Sequence, residues 1–268
     1  MRRIFVAFPG GKHKVLTMSY DDGRPEDVRL VSIFKENGIK GTFHLNSGLY
    51  DDPQYQRNPK EQIAELYQGM EISCHTYTHP TIARCPSTEV VKQTLEDRIQ
   101  LEKYAGYPVR GMSYPNGSFS KEVEIAMEAC GIEYSRTVRS THSFAMPDNY
   151  MEWDPTCHHN DPKLFDLGRD FLALNKTQYL YMMYVWGHSY EFTNNNNWER
   201  IEEFCRMMGG REDIWYATNI EIVDYMKAWK QMKFSADGTF AFNPTAYTLW
   251  IDVDKEMVPV PAGQTVHF

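Results

Sequence analysis

KVLTMSYDDGRPEDVRLVSIFKENG, residues 14–38, reads as a strand, a turn and a helix in succession. The run 14–20 is apolar and β-branched, and helical periodicity follows from about residue 26. Pro25 precedes that helix, Glu26 and Asp27 stand in its first turn, and Asn37-Gly38 closes it, so both termini carry their expected signals. The same alternation recurs to about residue 231. Further strands are expected at 41–46, 70–75, 109–114, 132–138, 179–186 and 214–218, with helices at about 59–68, 88–105, 119–129, 162–174, 197–208 and 219–231. Six or seven βα units of this kind build a parallel sheet or barrel. Asp21-Asp22-Gly23 then falls at a strand's carboxyl end, where βα-barrel enzymes place their catalytic groups.

Beyond residue 231 the pattern becomes period-two, with an Asp-Gly turn and no helical stretch. Residues 1–231 are therefore expected to form the barrel and 232–268 a short β appendage packed on it, since so short a tail would not fold alone. The chain has 268 residues, 28 Lys and Arg against 36 Asp and Glu, and a net charge of −8, which excludes the basic footprint that nucleic acid or anionic lipid requires. That balance suits a neutral or cationic substrate better than a polyanion. Five widely spaced cysteines without a CxxC pair fit reduced thiols, and the apolar run near the N-terminus is too brief for an export signal or a span. A cytoplasmic protein acting on a small glycan or soluble metabolite is the expectation.

His75 and His79 are four apart, but Thr76, Tyr77, Thr78 and Pro80 argue against the helix of a zinc protease. A loop after the strand at 70–75 can still bring both imidazoles to one cation. With one carboxylate of the Asp21-Asp22 pair they make a three-ligand, open site of the catalytic type. The other carboxylate remains free to act as a base. His188, in Trp186-Gly187-His188 at the end of a late strand, suits a general acid on the opposite wall.

Read in order, Ser19-Tyr20-Asp21-Asp22-Gly23, His75-Thr76-Tyr77-Thr78-His79-Pro80, Tyr114-Pro115-Asn116-Gly117 and Trp186-Gly187-His188 resemble the successive motifs of the polysaccharide deacetylases, the NodB-homology group of carbohydrate esterases. The resemblance runs over roughly residues 14–231. It implies a distorted (β/α) barrel and metal-dependent removal of an N-acetyl or O-acetyl group from a sugar. It further implies Asp21 as general base, Asp22, His75 and His79 as ligands of a divalent metal, usually zinc, and His188 as general acid. The ligand set also admits cobalt or nickel.

Two departures bear on tuning. Where the family carries an arginine aimed at the base, this chain has Ser113; Arg110, three residues earlier, is the arginine expected to hold Asp21 ionised, with Arg136 as the alternative. The family's Asp-Trp pair that positions the acid has its nearest match in Glu152-Trp153-Asp154. Tyr114, Trp153 and Trp186 are candidate sugar platforms. One of the adjacent pair His158-His159 is a candidate contact, and His44 is expected to be a packed histidine. The leading expectation is a deacetylase of an acetylated carbohydrate or small amide. An amidohydrolase of a cyclic amide or ureide, or a non-catalytic carbohydrate-binding protein, are the alternatives.

Overall fold

The computed structural model describes residues 2–268. Strand β1 (Ile4–Ala7) precedes β2 (Lys14–Asp21), and all eight positions of β2 are buried. Burial on both faces is what a central parallel strand requires. After α1 (Asp27–Glu36) come β3 (Gly41–Leu45), the single-turn α2 (Ile63–Leu66), β4 (Glu71–Cys74) and the long α3 (Ser87–Ala105). Next are β5 (Gly111–Ser113), α4 (Lys121–Ala129), β6 (Tyr134–Arg136), β7 (Cys157–His158), α5 (Leu164–Ala173) and β8 (Tyr181–Gly187). The chain continues through α6 (Tyr190–Asn194), α7 (Trp198–Met208), β9 (Ile214–Tyr216) and α8 (Asn219–Trp229).

The parallel strands lie in the order β6-β5-β4-β3-β2-β8-β7, with β9 on the early part of β2. Trp153, just ahead of β7, makes a parallel bridge to Arg136 of β6, so the sheet curls round on itself into a distorted (β/α) barrel. The strands expected from the sequence are all present. The helix expected over 59–68 is the exception, reduced to a 3-10 turn and the short α2. Side chains of Leu16, Met18 and Tyr20 pack outward with Leu30, Phe34 and Phe204 of the surrounding helices. The inward residues of β2 are different: Thr17, Ser19 and Asp21 are buried and polar.

The C-terminal residues form β10 (Lys233–Phe234), β11 (Phe240–Phe242), β12 (Leu249–Val253), β13 (Glu256–Val260) and β14 (Thr265–His267). These make two small antiparallel sheets, β1-β12-β13 and β10-β11-β14. The chain's first strand thus pairs outside the barrel, with Ile4 opposite Val253. Ile222 and Tyr225 of α8 share a core with Leu249 and Ile251 of β12, and Tyr225 Oη donates to the Ala7 carbonyl at 2.6 Å.

The barrel interior holds a polar network. Glu71 accepts from Tyr134 Oη at 2.6 Å, Thr42 Oγ1 at 3.0 Å and the Ile220 amide at 2.8 Å. Burial nonetheless pushes its carboxyl up to about 7. A raised folded-state pKa means stability that is present below the unfolded value and is lost as pH rises through 7. Glu71→Gln removes that titration. In metal-free protein the stability of E71Q relative to the parent should rise by about 2 kcal/mol between pH 5 and 8, read from denaturant midpoints. A difference that stays flat with pH would show that Glu71 is ionised throughout.

Candidate active site

Each side chain that the motifs singled out for the reaction stands at the carboxyl end of a barrel strand. Asp21 ends β2, and the turn beyond it is bent sharply: Asp22 has φ 81° and Gly23 φ 64°. A Cβ on Gly23 would lie 2.8 Å from Leu45 Cδ2 and 2.9 Å from Tyr50 Oη, so glycine is required there. His75 follows β4. Its amide donates to Leu45 O at 2.9 Å and to Asp97 Oδ2 at 3.0 Å. Asn46 Nδ2 donates to the carbonyls of His75 and Thr76 at 2.5 and 2.9 Å, fixing the loop that carries His79 round. Thr76 and His79 both have positive φ, at 64° and 59°. Side-chain-bearing residues held in that region cost energy and cluster at functional sites.

His75 Nδ1 lies 2.9 Å from Ser113 O and 2.7 Å from Ser113 Oγ, which leaves Nε2 pointing at the carboxylates. Nε2 is 3.9 Å from Asp22 Oδ1, and His79 Nε2 is 3.8 Å from the same oxygen. These separations exceed hydrogen bonds and sit near the spacing of about 3.4 Å between ligands of a tetrahedral cation held at about 2.1 Å. Burial lowers His75 to about 4, so its nitrogen keeps a lone pair at neutral pH. The set of one carboxylate and two oriented imidazoles fits a divalent cation, and the bond to Ser113 is the outer contact such a histidine needs.

Asp21 is 2% exposed and is met by Arg136, which is wholly buried. Arg136 Nη2 donates to Asp21 Oδ2, Nε to Ser19 Oγ at 3.1 Å and Nη1 to Thr137 O at 3.0 Å. Trp186 covers the guanidinium at 4.3 Å. Burial alone would raise the Asp21 carboxyl, but Arg136, helped by His75, His44 and His188, holds it well below the usual carboxylate range. The expectation that Arg110 does this is not met. Arg110 precedes β5, at the strand's amino end, and its guanidinium binds Asp224 at 2.7 and 2.8 Å and Glu133 at 3.0 Å. Ser113 also donates to Asp21, at 3.0 Å.

His188 follows β8. Burial disfavours its proton, but Glu191, one helical turn on at 3.4 Å, and the charges of Asp21 and Asp22 outweigh that and raise its pKa. Glu191 also lies 3.1 Å from His158 Nε2 and 2.8 Å from His159 Nε2, and these imidazoles hold it ionised despite burial. Glu191 thus occupies the carboxylate place beside His188 that Glu152-Trp153-Asp154 was expected to fill. Glu152 and Asp154 instead bind Arg139 at 3.0 and 2.9 Å. His158, His188 and Glu191 also lie close enough to share a cation, but their 3.1 and 3.4 Å carboxylate contacts are those of an ion-paired group. Gly187 is constrained by the same cluster: a Cβ there would fall 2.1 Å from His159 Nδ1.

The three expected sugar platforms are not open. Trp153 is fully buried against Tyr134 and Tyr184, Tyr114 is 1% exposed and donates to Met151 O at 2.8 Å, and Trp186 is taken up by Arg136. Tyr55, on the loop after β3, and Tyr190, the first residue of α6, line the cleft beside Asp22 and His79. His44 is buried beside the Cys74 carbonyl at 3.1 Å, and burial lowers it to about 3.

The sequence profile of the polysaccharide deacetylases matches residues 9–135. The peptidoglycan-N-acetylglucosamine deacetylase PgdA of Listeria monocytogenes is 25% identical over 41% of this chain and 23% of its own length. The peptidoglycan-N-acetylmuramic acid deacetylase PdaC of Bacillus subtilis is 28% identical over 43% of this chain and 24% of its own. The chain therefore spans about a quarter of the length of these relatives. A polysaccharide deacetylase candidate from Mycobacterium smegmatis has the same fold, with a TM-score of 0.61 at 19% identity over 86% of this chain and 96% of that one. The Xyl-CE4 domain of a multidomain xylanase from the hindgut metagenome of Trinervitermes trinervoides superposes at a TM-score of 0.52, with 14% identity over 81% and 92%.

Proposed function

We propose that this chain, which belongs to the polysaccharide deacetylase family, is a metal-dependent hydrolase that removes the acetyl group from an acetylated amino sugar in a glycan. The observation that carries the reading is the convergence of Asp22, His75 and His79 beside an Asp21 held ionised by Arg136. A divalent cation on those three ligands, zinc by the chemistry of the set, would supply Lewis acidity toward the acetyl carbonyl and acidify a neighbouring water.

The chain's own groups do the rest. Asp21 accepts the proton of the attacking water, and Arg136 on Oδ2 and Ser113 on Oδ1 fix the orientation of its carboxylate. His188, kept protonated by Glu191, donates to the departing amine nitrogen. Acid and base are thus separated by environment, one pushed up and the other down. The buried walls around Arg136 and Trp186 keep bulk water from the base.

The test is acetate release from N-acetylglucosamine oligomers before and after chelation. Release should vanish with the metal and return on adding zinc, with one metal per chain removed and restored. Release that survives complete metal removal would overturn the reading.

A further inference from the structure

The cleft does not end at the acetyl-cleaving groups. It continues into a cavity of about 300 Å³ with Asp22 and His79 on one wall and Arg24, Arg57, Tyr55 and Tyr190 on the others. Arg24 immediately follows the Asp-Asp-Gly turn, and Arg57 sits on the loop after β3; Asn58 Nδ2 ties the two segments together through the Arg24 carbonyl at 2.8 Å. Each guanidinium lies beside a tyrosine ring, Arg24 at 5.2 Å from Tyr190 and Arg57 at 5.5 Å from Tyr55. Among the described residues the Nε of each is buried without an acceptor, and Arg57 Nη1 donates to the carbonyl of its neighbour Gln56 at 3.1 Å. Arg57's hold on its proton is weakened by burial and by Arg24, and strengthened by Asp22 and Asp27. Asp22 is a ligand in the proposed site, and Asp27 is already bound by Tyr67 and Ser189. Two half-buried cations with buried donors unused, at the mouth of a reaction site, constitute a receptor for an anion.

We infer that Arg24 and Arg57 form an anion subsite, and that the substrate is an acetylated glycan bearing an acidic substituent, carboxylate or sulfate, next to the acetyl group that is removed. The inference rests on the deacetylase reading for its substrate class. It reverses the expectation drawn from the net charge of −8: the local field in this cleft has the opposite sign.

The probes are three sugars titrated calorimetrically into the metal-free 268-residue chain, where no turnover occurs: neutral N,N′-diacetylchitobiose, the carboxylate-bearing disaccharide of N-acetylglucosamine and N-acetylmuramic acid, and 6-sulfated N-acetylglucosamine. At low salt an acidic sugar should bind at least about tenfold tighter than the neutral one. Arg24→Gln and Arg57→Gln should each pull that ratio toward one, Arg57→Lys should retain part of it, and the ratio of kcat/KM should move in parallel. Whichever of the carboxylate and sulfate arms shows the preference identifies the substituent. Equal binding of neutral and acidic sugars, or a preference that survives both glutamine substitutions, would overturn the subsite. An acidic preference lost in the variants, with no acetate released from any sugar, would instead leave the subsite standing and sink the deacetylase reading.

Discussion

Asp21→Asn is expected to lower acetate release by a factor on the order of 10² to 10⁴ while leaving one metal bound per chain, because the proposed general base is lost and the proposed ligands Asp22, His75 and His79 are untouched. Asparagine keeps one oxygen, which can accept from Arg136, and its amide nitrogen can donate to a reoriented Ser113 hydroxyl, so the shape of the site is retained while the charge goes. The pH profile discriminates between roles. In the parent, the acid limb of kcat/KM lies low, since Arg136 holds Asp21 ionised far down the pH scale. A variant that keeps more than a tenth of the parent rate, at unchanged metal content, would show that another group takes the proton. Metal content must be measured alongside rate, because a variant that had simply lost its cation would show the same fall in acetate.

What was legible beforehand follows from what is local. The strand at 14–20 and its Asp-Asp-Gly turn, the histidines after the strand at 70–75, and His188 after the strand at 179–186 could all be placed at carboxyl ends, because parallel βα periodicity dictates which end each residue occupies. The arginine was misassigned because it was chosen by its place relative to a motif rather than by its end of a strand. Arg110 enters β5 and Arg136 leaves β6; only the latter end faces the site, and only the curl of the sheet brings β6 across to β2. The same curl hides the polar interior. Ser19, Glu71 and Ser135 stand in separate strands, and only closure places them around one axis. Glu191 was missed although it lies three residues after His188, a helical turn that the short α6 supplies. Arg24 and Arg57 carry no periodic signal, since both stand in loops. Pairing of β1 with β12 joins residues from opposite ends of the chain, beyond the reach of any local pattern.

Arg136→Met should be the most damaging single substitution away from the metal ligands, and in two separable ways. The first is stability. Arg136 is fully buried and Asp21 nearly so, and breaking a buried pair by removing one partner typically costs about 3–5 kcal/mol because the remaining charge is left uncompensated. The second is chemistry: without the guanidinium, burial raises the Asp21 carboxyl, and the acid limb of kcat/KM moves to higher pH. A merely structural arginine would depress the amount of folded enzyme without moving that limb. Arg136→Lys should recover part of the limb and less of the stability, since an ammonium cannot reach Ser19, Thr137 and Asp21 together or replace the planar group under Trp186. The decisive comparison is the double variant. If the charges matter chiefly to each other, Asp21→Asn combined with Arg136→Met leaves no uncompensated charge, and its denaturation free energy should fall by less than the sum of the two single losses. Additive losses in metal-free protein would show that Arg136 supports the barrel through its bonds to Ser19 and Thr137 alone, and that Asp21 owes its depressed pKa to the imidazoles around it.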